Sequence, residues 1–421
     1  MTVAPSRSLV LTFEDARHAV EDHAAKLRPR GEESVSLLNA AGRVLAEPIV
    51  ADRDIPPFPR STRDGYAVHS ADLAQLPAIL QVMGEIKAGA RAGDLPSRVE
   101  HGQAVSIMTG APVPPGGDAV VMVEYTVQRG QAVEITRSVA AGENIVAQGA
   151  EGKQGSLLLD RGTRLNAAAI ALAASVGKAR LEVFVRPSVA VLTTGDEIVD
   201  VPSTPGPTQI RNSNSYSLAA QIQHAGGDPV LLEVAPDEPR QLRRRIEQGL
   251  QSDLLLMTGG VSMGRYDLVE QVLSEMGAEF FFTGAKIQPG RPVVFGQVQC
   301  GAGAGAAALH KYFFGLPGNP ISTMVTFELF GRPILEALAG MSPRKLMFLH
   351  ARLKSAVRVK TGLKRFLPAI LSGEFENSLV ELVPWQGSGD IAATARANCY
   401  VVVPPDRESI PAGDWVAVLL P

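Results

Sequence analysis

The chain has 421 residues, too many for one compact core, so two to four domains are expected. Apolar residues make up 45% and charged residues 20%, the balance of an ordinary globular enzyme. A formal charge of -3 lacks the basic excess of a nucleic-acid binder, and two cysteines, Cys300 and Cys399, exclude a disulfide framework or four-thiolate zinc site.

Near the start, Phe13, Ala16, Val20, Ala24 and Leu27 recur at helical spacing. Residues 51–152 are rich in Gly and Pro, with short β-prone runs such as QAVSIMTG and AVVMVEYTVQ, and read as a β-rich insertion domain. LNAAAIALAASVG (165–177) is a second helix, opened by Asn166 as N-cap and closed at Gly177. Residues 8–50 and 153–185 are thus expected to form a helical linking domain around the insertion. The longest apolar run, Leu165 to Val176, is about twelve residues and too short to span a bilayer. With no signal pattern at the N-terminus, no membrane association and a cytoplasmic location are expected.

From Pro187 the pattern changes to strand (188–195), helix (213–226), strand (228–234), helix (238–250), strand (253–260), helix (267–276), strand (278–283) and a final helix over about 320–338. Strands apolar on both faces alternating with helices predict a doubly wound α/β domain over 186–342. Short strands with Pro and Gly between them predict a small β-barrel over 347–421.

Ligands of open α/β sheets bind beyond the carboxyl ends of the strands. Two such ends, Thr193 to Glu197 and Thr258 to Asp267, and the segment before the last helix, Gly315 to Ser322, are rich in Gly and hydroxyl groups. Glycine permits close backbone approach, and successive N–H groups near a helix start hold anions. A phosphate-bearing small molecule suits these loops, whereas the Walker pattern is absent. Asp196, Glu197 and Asp267 stand beside the loops, and carboxylates next to a phosphate call for a bridging Mg²⁺. Asp267 also reads as the cap of its helix. Asp237, just ahead of Pro239, reads as a helix cap and, with Glu197 and Asp267, is a candidate metal ligand.

TTGDEI, TGGVSMGRYD and GLPGNPIS, in this order, resemble the cofactor-binding domain shared by the molybdopterin molybdenumtransferase (MoeA) family, its Mog relatives and the gephyrin E domain. PPFPRSTRDGYAV (56–68), Ile107 to Pro114, Gly142 to Ile145, QPGRPVVFG (288–296) and QGSGD (386–390) extend the resemblance to MoeA from about residue 12 to the end. The resemblance implies insertion of molybdate into adenylylated molybdopterin, with AMP released and Mg²⁺ assisting. It also implies a homodimer in which Asp64 of one subunit reaches the Glu197 and Asp267 site of the other, so these three are the candidate catalytic residues. Thr194, Gly195, Asp196, Gly259, Gly260, Ser262, Gly264, Pro317, Gly318, Asn319 and Pro320 become candidate molybdopterin-binding residues. Ser322, Ser388, Pro289, Lys286 and Arg291 become candidate molybdate contacts. A Mog-type adenylyltransferase and molybdoenzyme maturation proteins are the implied partners.

The chain departs from the family pattern in four places. Phe58-Pro59-Arg60-Ser61 lacks an acidic residue, Gln148-Gly149-Ala150-Glu151 keeps only the last carboxylate of its segment, Gln288 replaces a cation, and Phe366-Leu367-Pro368 lacks an arginine. Two cations expected around molybdate are therefore missing, and Lys286 or Arg291 is the expected substitute. The alternatives are a tungstate-handling or weakened paralogue, or a non-catalytic scaffold of the gephyrin kind.

Overall fold

The computed structural model describes residues 9–91, 93, 96, 98–260, 268–300 and 309–421. Its central element is a six-stranded sheet, ordered Asp228–Leu231, Ser188–Thr193, Leu254–Thr258, Leu309–Leu316, Val294–Cys300, Glu279–Phe282. The first four strands are parallel and the last two antiparallel. The continuous apolar run of Ser188–Thr193 has a simple cause. Alternation sends Val189 and Val191 into the core on one face, and Ala190 and Leu192 into the core on the other. Helices Asn214–Ala225 and Pro320–Thr326 cover the first face, and Pro239–Gly249 and Leu268–Glu275 the second.

Two strands, Val294–Cys300 and Leu309–Leu316, were not among the predicted elements; they form an antiparallel pair that completes the sheet. The expected final helix is interrupted: Pro320–Thr326 passes through a π turn, Phe327–Gly331, into Arg332–Leu338. Pro333 explains the break, because it has no N–H for the carbonyl of Leu329, four residues back. The buried Arg17 guanidinium donates to that carbonyl instead. Arg17 lies on helix Phe13–Ala24, whose Phe13, Ala16 and Val20 pack in the α/β core. This first helix, capped by Thr12 and preceded by a strand paired with Gly284–Ala285, docks on the α/β sheet and not on the linking segment.

The insertion folds as a six-stranded sheet in which Gly65–Val68 is buried along its length. Tyr66 and Val68 enter one core and Ala67 another. The linking segment joins strand pairs Glu32–Ser36 with Arg180–Phe184, and Ile49–Val50 with Leu157–Leu159, to helix Ala167–Ser175, which Asn166 caps. At the C-terminal end, Lys364–Ser372, Leu379–Leu382, Leu349–Leu353, Trp415–Leu419 and Cys399–Val403 close into a five-stranded barrel. A short α/β-domain strand, Ile287–Gln288, pairs with Lys364 and Arg365 on the barrel.

Phe314 stacks on Phe295 with ring centroids 4.5 Å apart, both fully buried in the α/β core. Phe314→Ala should destabilise that domain by about 3–5 kcal/mol, seen as a lower midpoint in denaturant-induced unfolding followed by near-UV circular dichroism.

Candidate active site

The predicted turns meet at one edge of the sheet. Thr193 pairs with Thr258 and Thr258 with Leu316, which sets the three strand ends side by side. Thr194 N–H donates to the Thr258 carbonyl at 2.9 Å. Gly259 follows with φ +88°, and a Cβ there would lie 2.4 Å from the Thr194 carbonyl, so only glycine fits. Gly318 lies against Gly259 on the other side. Thr323 Oγ1 donates to the Pro317 carbonyl at 2.5 Å, and Asn214 Nδ2 to both Thr258 Oγ1 (2.9 Å) and the Gly318 carbonyl (2.7 Å). Gly260, Gly318 and Asn319 are exposed, which leaves this edge open to water. Ser262, Gly264 and Asp267 lie outside the described residues.

Acidic side chains crowd the first turn. Asp196 accepts the Asp237 N–H at 3.1 Å. The cap of helix Pro239–Gly249 is Glu238 and not Asp237 as expected: its carboxylate accepts from the N–H groups of Arg240 and Gln241, each at 3.1 Å. Pro239 begins the helix, so the residue directly before it takes the cap position. Asp237 is left facing Asp196 and Glu197. Burial first, then the charges of Asp196 and Glu197, raise its carboxyl above the usual range. Among the described residues, no three acidic, histidine or cysteine side chains form a metal-binding group by themselves.

A second set of predicted residues converges at the start of helix Pro320–Thr326. Ile321 N–H donates to the Ser388 carbonyl at 3.0 Å, and Asn319 Nδ2 to Ser388 Oγ at 2.9 Å. Ser322 is buried one position on, and Gly290, after Pro289, packs against Thr326 and the Ser322 carbonyl. The barrel loop, the helix start and the 288–291 turn thus share one place. Lys364 is engaged by Glu14 and lies 4.5 Å from the Phe13 ring centroid. Arg365 is buried and donates to the Lys360 carbonyl at 2.7 Å. Lys286 and Arg291 are exposed and, among the described residues, enter no ion pair.

Asp64 stands apart. It precedes the buried strand Gly65–Val68 and accepts from Thr109 N–H (2.7 Å) and Oγ1 (2.9 Å). The glycine after it is steric: a Cβ at Gly65 would lie 1.9 Å from the Val121 carbonyl. Within one chain Asp64 makes no hydrogen bond or ion pair with the α/β turns among the described residues. Arg60, in one departing segment, forms an ion pair at 2.7 Å with Glu151, the carboxylate kept in the other. A cleft of about 510 Å³ on the barrel face, lined by Phe348, Lys364 and Trp415, contains none of the turn residues.

Three family profiles match: the MoeA N-terminal region (domain I and II) over 11–177, the probable molybdopterin binding domain over 190–337, and the MoeA C-terminal region (domain IV) over 350–420. The molybdopterin molybdenumtransferase of Nostoc sp. is 33% identical over 395 residues, spanning 92% of this chain and 88% of its own. The chain belongs to the molybdopterin molybdenumtransferase family, which is one of transferases. The Bacillus subtilis molybdopterin molybdenumtransferase is 33% identical over 92% of this chain and 89% of its own. The crystal structure of a molybdopterin biosynthesis MoeA protein from Pyrococcus horikosii is 32% identical, with a TM-score of 0.68 over 98% of this chain and 99% of that one.

The family resemblance marks the turns but not the residues that hold them. Thr193 Oγ1 and Ser215 Oγ are 2.8 Å apart, Asn212 Nδ2 donates to Ser215 Oγ at 3.0 Å, and Asn214 bridges two turns. A polar run, Asn212-Ser213-Asn214-Ser215, opening an otherwise amphipathic helix was the available signal. The two hydrogen bonds from Thr109, the backbone one first, hold the Asp64 carboxyl below the usual range. Thr109→Val should move it up towards that range while leaving the backbone bond in place, as read from ¹³C NMR titration of the Asp64 carboxyl.

Proposed function

We propose that this chain inserts molybdate into adenylylated molybdopterin and releases AMP. The convergence of the three Gly-rich turns with the junction around Ser322 and Ser388 carries this reading. Asn319 belongs to both: it lies in the third turn, and its side chain donates to Ser388. Backbone N–H groups of the turns and of the Pro320–Thr326 helix start suit the phosphates of the pterin substrate. Thr194, Gly195, Asp196, Gly259, Gly260, Pro317, Gly318, Asn319 and Pro320 line this part.

Molybdate is a tetrahedral oxyanion and suits hydroxyl, backbone N–H and cationic donors. Ser322, Ser388 and the Pro289 turn supply the polar wall, and Lys286 and Arg291 the positive charge that Gln288 no longer offers. The metal itself is carried by the dithiolene of the substrate, so two cysteines suffice.

Mg²⁺ fits the acidic turn. The crowding that raises Asp237 is relieved by a divalent cation, and Mg²⁺ is held by one or two carboxylates together with ligand phosphates. Glu197 and Asp237 would hold it, with Asp267 as a further ligand, and the ion would stabilise charge developing on the adenylyl phosphate. Asp64, held by the Thr109 N–H and hydroxyl, is contributed by the second protomer of a homodimer. A Mog-type adenylyltransferase then supplies the substrate, and molybdoenzyme maturation proteins receive the product in the cytoplasm.

Incubated with adenylylated molybdopterin, Mg²⁺ and molybdate, the purified protein should release AMP and reconstitute an apo-molybdoenzyme. AMP release equal with and without molybdate would refute insertion. Asp64→Ala and Glu197→Ala chains should each be inactive alone, yet regain measurable activity when unfolded, mixed and refolded together, because one site of each mixed dimer is intact.

A further inference from the structure

Asn214 is the first residue of helix Asn214–Ala225, and only 8% of it is exposed. Both protons of its carboxamide are used, one on Thr258 Oγ1 and one on the Gly318 carbonyl. The orientation of the amide follows from chemistry. A backbone carbonyl can only accept, so Nδ2 must face Gly318, and the Thr258 hydroxyl is itself a donor to the Pro317 carbonyl at 3.2 Å. The remaining atom, Oδ1, is buried and, among the described residues, has no hydrogen-bond partner. Buried acceptors are nearly always satisfied, so an exception of this kind calls for a partner such as a bound ligand or an ordered water.

The position of the orphan oxygen matters. The amide that carries it ties the second Gly-rich turn to the third, between the two strand ends that face the open edge. Thr194 Oγ1, on the first turn, is likewise buried and, among the described residues, unpartnered. Elsewhere in the same polar cluster the hydroxyls and amides are paired: Thr193 with Ser215, Asn212 with Ser215, and Thr323 with Pro317. An amide needed only as a clamp would use its nitrogen and leave its oxygen turned towards one of these donors.

We infer that Asn214 is a substrate-positioning residue, whose Oδ1 accepts a hydrogen bond from an N–H or O–H donor of the pterin or the nucleoside held between the 258 and 318 turns. This rests on the functional reading above and adds to it the group that orients the ring or sugar once the phosphates are seated. The clamp and the acceptor are separable. Asn214→Ala removes both. Asn214→Asp keeps an oxygen acceptor but sets a carboxylate against the Gly318 carbonyl, so it harms the clamp at least as much as alanine does.

The test uses the full-length protein and two neutral probes, 6-hydroxymethylpterin and adenosine, which an introduced charge does not repel. Their affinities are measured by calorimetry or ligand-observed NMR, and the melting temperature of each free protein is recorded. The expected stability order is Asn above Ala, with Asp equal to Ala or lower. For one of the two probes the expected affinity order is Asn, then Asp, then Ala, with Ala binding about tenfold more weakly, the worth of one hydrogen bond. Which probe responds tells the pterin from the nucleoside. Equal affinity of the Ala variant and the unmodified protein for both probes overturns the inference, as does an Asp variant that binds no better than Ala. If the unmodified protein binds neither probe, the functional reading fails and takes the inference with it.

Discussion

Thr258 ends the central parallel strand, and its neighbours are arranged around it. Its carbonyl receives the Thr194 N–H, while its hydroxyl meets Asn214 and donates to the Pro317 carbonyl. Parallel register is what makes this work: with Thr193, Thr258 and Leu316 level, three loops leave the sheet at the same height and must turn in the same place. The apolar residues below, such as Leu256 and Phe314, are fully buried and give the edge a fixed base. Glycine at 259 then lets the first and second turns touch through backbone alone.

The second half of the site depends on a contact between domains. Ile287–Gln288 leaves the α/β domain to lie on the barrel strand Lys364–Ser372, and the barrel loop returns to place Ser388 on the start of helix Pro320–Thr326. The N-terminal strand and helix reinforce the same junction. Val10–Leu11 pairs beside Gly284–Ala285, and Phe13 packs with Phe330 and Phe366. Phe366 therefore serves as a buried link between α/β domain and barrel.

Charge is distributed unevenly over this edge although the chain as a whole is nearly neutral. Acidic groups gather at the first turn, where Asp237 feels Asp196 and Glu197. The exposed Lys286 and Arg291 stand near the other end, beside the turn that packs on Ser322. Fields in such an edge follow arrangement and not totals. Thr109 adds a separate, local device by fixing the Asp64 carboxyl within the insertion through two hydrogen bonds, which hold it below its usual range.

Local rules carried much of this fold into the sequence. The helices at Phe13, Asn166, Asn214 and Pro239, and the strands from Ser188 and Leu254, follow from periodicity, caps and apolar runs, which act over a few residues. The Gly-rich turns pointed to a single edge of the sheet, where the structure brings them side by side, and the ordered motifs announced the family. The strands Val294–Cys300 and Leu309–Leu316 escaped because a Gly- and Ala-rich stretch between them hides their pairing. Only the tertiary structure decided that Arg17 completes a helix broken by Pro333, that Glu238 and not Asp237 caps the next one, and that Ser388 joins Asn319 across 69 positions. These are contacts between residues distant in the chain or choices between adjacent rivals, and neither leaves a period in the sequence for a local rule to read.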